Sequence, residues 1–354
     1  MDDVLETDPV DLLVADESAT ITEGARAHRL VLIDAPALAE AAREVADEVF
    51  VWCDDLRERA EVPSDLLADD LSAALDGADL VWMRLPKGLG GLDEYAELIA
   101  NHADPEVKVV AGGRVKHMTL SQNEVLLAHF GSVNASLGRQ KSRVLHARLP
   151  YTSEPTWPRS KTHADLDVEL WAHGNTFAAA KLDPGTKVLV DKIGQVGKLV
   201  GGDRSQAAGQ TGALQILDLG CGNGVLATLL ARRFRTSNVM ATDVSWAAVE
   251  ATQLTAKANK ARVEVFWRDG LAEFADDSLD IIVTNPPFHI GTSKDTGPAL
   301  EMFTEAARVL RKGGEFWCVY NSHLPYKARL NELVGQTKVI DQNPKYTLTR
   351  SEAR

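Results

Sequence analysis

The 354-residue chain is poor in cysteine, poor in aromatic residues and, over its first third, poor in positive charge. Its three cysteines, Cys53, Cys221 and Cys318, are too few and too scattered for a disulfide framework or a zinc site. Reduced thiols are expected. No run of about 18 apolar residues occurs, so no helix can span a bilayer. The opening stretch MDDVLETDPVDLLVADE has neither the apolar core nor the cationic flank of a secretory or transit segment. These absences predict a cytoplasmic protein with no membrane partner and no metal. Residues 1–112 hold 27 Asp and Glu against 8 Lys and Arg, a balance of −19, while residues 113–354 hold 24 against 30, a balance of +6. A nucleic acid is repelled by the first segment and tolerated by the second. A solvated acidic surface accounts for the first segment, and local patches still permit an RNA partner.

What is present is an ordinary globular composition, 45% hydrophobic and 25% charged, over a length suited to about two domains. Residues 1–25 show no clear period and are expected to be an irregular acidic arm. From residue 26 to 150, β-branched or aromatic runs (29–34, 48–53, 79–86, 107–113, 141–148) alternate with Ala/Leu/Glu-rich helical stretches. That alternation predicts crossover units on a parallel sheet. Residues 151–165 contain Pro155 and Pro158 and read as an extended linker. A second series fills 166–354, with strands at 166–173, 214–220, 238–244, 263–269, 279–285 and 315–321. The glycine-rich stretch 194–212 reads as a loop. The two series also resemble each other when Asp79 is laid on Asp280, which suggests a duplication.

Chemistry concentrates in the second series. Asp218, Gly220, Cys221, Gly222, Asn223 and Gly224 close one strand and open a helix. Glycines at that point let the backbone approach a ligand, and the helix start offers unpaired N–H donors. The spacing G-x-G-x-G after an acidic residue differs from the dinucleotide fingerprint G-x-G-x-x-G. Asp243 closes the next strand, where a carboxylate suits a ribose, and Asp269 closes the one after, beside an adenine edge. Together they indicate an adenosine ligand without a pyrophosphate. Asn285, Pro286, Pro287 and Phe288 end the following strand. The prolines hold carbonyls rigidly outward, Asn285 and Pro286 form an acceptor pair for a planar NH2 group, and Phe288 offers a stacking face. Cys221, between two glycines, is expected to be selected for size. His289, and the cations Arg139, Lys141 and Arg143, fit either an RNA contact or a solvated surface.

These residues resemble class I S-adenosylmethionine-dependent methyltransferases that modify exocyclic amino groups. Phe177 with the segment Leu182–Thr186, the tetrapeptide at Asn285 and the later run 321–326 are similar to ribosomal RNA guanine-N2 methyltransferases. The first half resembles the N-terminal domain of the methyltransferase G and methyltransferase C enzymes of that group. The resemblance implies two tandem Rossmann-like α/β methyltransferase domains, the N-terminal one degenerate and given to positioning RNA. It implies S-adenosylmethionine held by Phe177, Thr186, Asp218–Gly224, Asp243, Val244, Asp269, Gly270 and Asn285. It implies methyl transfer at Asn285–Phe288 and ribosomal RNA held by Arg139, Lys141, Arg143 and His289. An adenine-N6 or protein-glutamine methyltransferase, and a non-catalytic RNA-binding module, stand as alternatives. In the first series Asp34 stands where the second has its glycine turn, and Arg84–Lys87 replace Asn285–Phe288.

Overall fold

The computed structural model describes residues 8–200, 213–286 and 297–354. The chain forms two compact units, Met1–Pro158 with His173–Asn175, and Arg159–Ala172 with Thr176–Arg354. No helix among the described residues is long and apolar enough to cross a membrane.

The first unit is built on strands β1 (Ala27–Ile33), β2 (Ala46–Trp52), β3 (Leu80–Arg84), β4 (Lys108–Arg114), β5 (Phe130–Ala135) and β6 (Ser142–Pro150). Their order is β2-β1-β3-β4-β6-β5, with the first four parallel and β6 antiparallel to both β4 and β5. Beyond β2 the segment 66–68 makes a single bridge: Val51 N–H donates to Leu66 C=O and Ala68 N–H to Val51 C=O.

The second unit opens with a hairpin, β7 (Arg159–His163) and β8 (Val168–Ala172). Its main sheet holds β9 (Gln215–Leu219), β10 (Asn238–Asp243), β11 (Glu264–Trp267), β12 (Leu279–Thr284), β13 (Leu310–Asn321), β14 (Gly335–Gln342) and β15 (Tyr346–Ala353). The order is β11-β10-β9-β12-β13-β15-β14; β15 alone of the strands beside the parallel five pairs antiparallel with both β13 and β14. Alternate residues feed two cores. Ile216, Ile281, Val283 and Trp317 fill one face, and Leu217, Ile282, Phe316 and Cys318 the other. Burial on both faces is why these strands are nearly continuous apolar runs.

The two sheets are one design. Removing β11 from the second order leaves the first. The Asp79 carboxylate accepts from His28 N–H (3.0 Å) and Arg29 N–H (2.8 Å), tying the start of β3 to that of β1. Asp280 does the same for β12 and β9 through Gln215 N–H at 2.8 Å. The expected alignment of Asp79 with Asp280 therefore coincides with a shared latch.

Two expectations are corrected. The irregular arm expected at residues 1–25 is, over its described part, a helix, Pro9–Thr22, capped by Asp8, with Pro9 at its first position. Val10, Leu13, Val14 and Ile21 are buried at helical spacing against the first sheet. Polar residues interrupt that face and hide its period: buried Asp11 pairs with Arg84 (2.8 and 2.5 Å), and Ser18 accepts from the Trp82 indole (2.8 Å). Residues 151–165 are likewise not a bare linker. Thr156 and Trp157 donate backbone N–H groups to the buried Glu97 of helix Leu89–His102, and Arg159–His163 is a strand of the second unit. The loop expected at 194–212 lies largely outside the described residues.

Candidate functional site

All the strands that matter end on one edge of the second sheet. In a parallel sheet that is the edge where ligands gather. The chain leaves β9 at Leu219 and turns through Gly220, Gly222 and Gly224, with φ of 74°, 55° and 75°. Such left-handed backbone favours glycine. The three differ in what surrounds them. A Cβ on Gly224 would stand 2.8 Å from the Thr252 Cα, so this glycine allows close packing of helix Trp246–Ala258. Gly220 and Gly222 have nothing within 4 Å on that side. Their open faces line a cleft of about 370 Å³, together with Phe177, Ala178, Asp183, Thr186, Cys221, Asn223 and Asn285.

Asp218 lies beneath the turn, fully buried, and its Oδ2 accepts from Ala227 N–H at 2.9 Å. Burial pushes its carboxyl up to about 7. Asp243 at the end of β10 accepts from Gly222 N–H (3.0 Å) and Ser245 N–H (3.1 Å), which fixes it beside the turn. Val244 follows at the strand end. Asn223 donates both amide protons away from the cleft, to the carbonyls of Ala179 and Lys181 at 2.9 Å each. It thereby clamps the loop carrying Phe177, in which Ala178 and Ala179 adopt φ of 61° and 50°. Cys221 is buried, accepts from the Thr252 hydroxyl at 3.2 Å, and its thiol is driven well up by burial, in keeping with a small packing residue.

Asn285 follows β12 and reaches the same cleft. Its Nδ2 donates to Asp183 Oδ2 (3.0 Å) and to Thr186 Oγ1 (2.9 Å). Pro286 continues the chain; Pro287, Phe288 and His289 lie outside the described residues. Asp269 and Gly270 are exposed in the turn after β11 and do not line the cleft. Asp183 was the residue that spacing alone overlooked. Its Asp-Pro-Gly context reads as a helix cap, which it also is.

Of the expected RNA contacts, Arg139 is engaged. It faces Asp16 at 3.1 Å and Glu17 at 3.6 Å. Lys141 and Arg143 are exposed and have no ion pair with a described residue. Among the described residues no group of three or more His, Cys, Asp or Glu could hold a metal ion.

Comparison with known proteins agrees with this geometry. The family described as Methyltransferase small domain matches residues 167–350, and the RLMG N-terminal domain matches residues 57–151. The ribosomal RNA large subunit methyltransferase G of Stutzerimonas stutzeri is 31% identical over 300 residues, covering 83% of this chain and 76% of the relative. That of Streptomyces griseus is 29% identical over 371 residues, covering 98% and 89%. A T. thermophilus 16S rRNA N2 methyltransferase (RsmC), solved in complex with AdoMet and guanosine, shares the fold. Its TM-score is 0.75 at 22% identity, over 99% of this chain and 93% of that one. Fold and glycine turn together define an α/β methyltransferase preceded by an altered copy of its own sheet. The chain belongs to the ribosomal RNA large subunit methyltransferase G family.

Proposed function

We propose that this chain transfers a methyl group from S-adenosylmethionine to the exocyclic N2 of a guanine in large-subunit ribosomal RNA. The observation that carries this reading is that the Asn285 amide stands in the lining of the same cleft as the open glycines Gly220 and Gly222. The substrate class rests on the names of the relatives. Guanosine and AdoMet, bound in the structural neighbour, fit the same assignment.

The cleft suits the cofactor, because two glycines leave a cradle that side chains would fill. When bound, S-adenosylmethionine supplies an electrophilic methyl group. Everything else falls to the chain. Gly220–Gly224 would hold the amino-acid side, Asp243 would accept from the ribose, Phe177 and Thr186 would close the cleft, and Val244, with Asp269 and Gly270 beyond the cleft lining, would lie toward the adenine. The guanine amine is a poor nucleophile because its lone pair is delocalised into the ring. Hydrogen bonds from its N–H groups to Asn285 Oδ1 and the Pro286 carbonyl orient it and favour the more tetrahedral attacking form. These fixed dipoles also stabilise the positive charge that develops on nitrogen. Bound there, S-adenosylmethionine would supply the methyl group that N2 gains and depart as the neutral thioether, while one N2 proton leaves to solvent. Phe288 stacks on the base, which must enter unstacked. Lys141, Arg143 and His289 contact phosphate.

The test is Asn285→Ala, assayed on unmethylated rRNA. Calorimetry should find S-adenosylmethionine affinity nearly unchanged, while kcat falls by ~10²–10³, the usual scale for one lost preorganised group. A retained rate would reduce the tetrapeptide to a turn.

A further inference from the structure

A side-chain amide is two-faced. One end donates, the other accepts, and a half-turn exchanges them. Which end meets the substrate therefore decides what the substrate must be. In this chain the choice is made by the partners of Asn285. Its Nδ2 faces Asp183 Oδ2 at 3.0 Å and Thr186 Oγ1 at 2.9 Å. A carboxylate has no proton to give, so only the nitrogen end of the amide satisfies it. Turned over, the amide would set its oxygen against a carboxylate oxygen. In the observed setting Oδ1 has no hydrogen-bond partner among the described residues and is left as an acceptor.

Asp183 is itself held firmly. The same Oδ2 accepts from Gly185 N–H at 2.7 Å and Thr186 N–H at 2.9 Å, as the cap of helix Pro184–Val190. Gly185 has no side chain where one would collide with the group. A Cβ there would stand 2.9 Å from Asp183 Oδ2, 3.1 Å from the Tyr346 ring and 3.2 Å from Asn285 Nδ2. Thr186 is buried beside them. Cap, hydroxyl and glycine form one rigid support behind a single rotatable bond.

We infer that Asp183 and Thr186 are positioning residues that fix the rotation of the Asn285 amide, so that the cleft selects a substrate N–H donor and rejects a carbonyl oxygen in its place. This rests on the reading of Asn285 as the amine acceptor. The two residues act through Asn285 and need not touch the substrate. Through Asn285 they contribute to kcat and to discrimination, a role separate from the place of Thr186 in the cofactor cleft.

The experiment uses the full chain with S-adenosylhomocysteine bound, and competes guanosine against inosine, which lacks the 2-amino group. Thr186→Val removes the hydroxyl and keeps the shape. Asp183→Ser keeps a helix-capping oxygen but not the carboxylate. Combined, they should lower kcat on rRNA by about tenfold or more and shrink the guanosine preference several-fold. S-adenosylhomocysteine affinity should stay within about twofold of wild type in Asp183→Ser, while Thr186→Val, at a residue that also closes the cofactor cleft, is compared at saturating cofactor. Thr186→Ser and Asp183→Asn, each retaining an acceptor oxygen, should restore most of the rate and preference. Should the double variant not fold, the two single variants decide by the same readouts. If rate and preference survive the combined Thr186→Val and Asp183→Ser change while Asn285→Ala loses them, the positioning role is wrong and the Asn285 assignment stands. If Asn285→Ala is itself fully active, the underlying reading fails instead.

Discussion

Asp34 stands one residue beyond β1 with φ of 53°, and its N–H donates to Trp52 C=O of the neighbouring strand at 2.9 Å. Gly220 stands one residue beyond β9 with φ of 74°, and its N–H donates to Thr242 C=O at 2.9 Å. The two are the same backbone position in two copies of a sheet. In one copy the open side is a cleft. In the other it holds a carboxyl group that accepts from Asp54 N–H and the Tyr95 hydroxyl, each at 2.9 Å. The substitution that closed the first copy also created a buried acid, which burial pushes up to about 7. A carboxyl whose folded value lies above its unfolded value of 3.8 binds more protons when folded. Its favourable contribution is complete below about pH 4 and is lost as the pH rises toward 7. Asp34→Asn keeps the acceptor oxygen and tolerates positive φ, yet carries no charge. The variant should match wild type near pH 4 and be more stable at pH 8, by something on the order of a few kcal/mol. Thermal unfolding at both pH values checks this, and an unchanged difference would mean Asp34 does not titrate in that window.

At the scale of elements, the parallel strands were legible because both their faces are buried, which leaves unbroken apolar runs such as Ile281–Val283. Helix Pro9–Thr22 was not, because Asp11 and Ser18 sit on its buried face and are satisfied only by Arg84 and Trp82, far along the chain. β5, β14 and β15 escaped for a related reason. In β14 and β15 the buried positions include Thr337, Thr347, Thr349 and Ser351, so polarity masks the pattern, and β5 buries only Phe130 and shows no alternation. The site was legible where a backbone need is written as glycine or proline, and opaque where a contact joins remote residues, as Asp183 does with Asn285. The bridge at segment 66–68 belongs to this scale too. It stands where the second unit has β11, and leaves most of β2 as an edge of unpaired backbone groups. Such edges invite pairing with another chain. Ala68→Pro removes the donor to Val51 C=O, and should raise concentration-dependent association in light scattering without changing cofactor affinity. A variant that remains as dispersed as wild type would show that other features guard this edge.

For the molecule as a whole the distribution of charge matters more than its sum. Arg26, Arg29, Arg43, Arg59 and Arg84 of the first unit each face a carboxylate, so most cations of its acidic stretch are paired internally. Lys116, Lys141 and Arg143 are exposed without ion pairs to described residues. They are close in space, since Val115 N–H donates to Lys141 C=O at 2.9 Å, and exposed Leu137 lies in the hairpin between β5 and β6. Lys141→Glu with Arg143→Glu should weaken rRNA binding by about tenfold at low salt and flatten its salt dependence. Filter binding across a salt series measures both, and an unaltered slope would place the RNA elsewhere. The arrangement also bears on how the partner arrives. Were Lys116, Lys141 and Arg143 the contact, a polyanion would meet repulsion from the acidic stretch and attraction at these cations, so unproductive encounters would part quickly and the surviving ones would share a heading. Negative charge, usually counted against an RNA-binding protein, would then narrow the approach. What it takes from the number of collisions it returns as alignment, a kinetic effect that fades once counterions screen both signs alike.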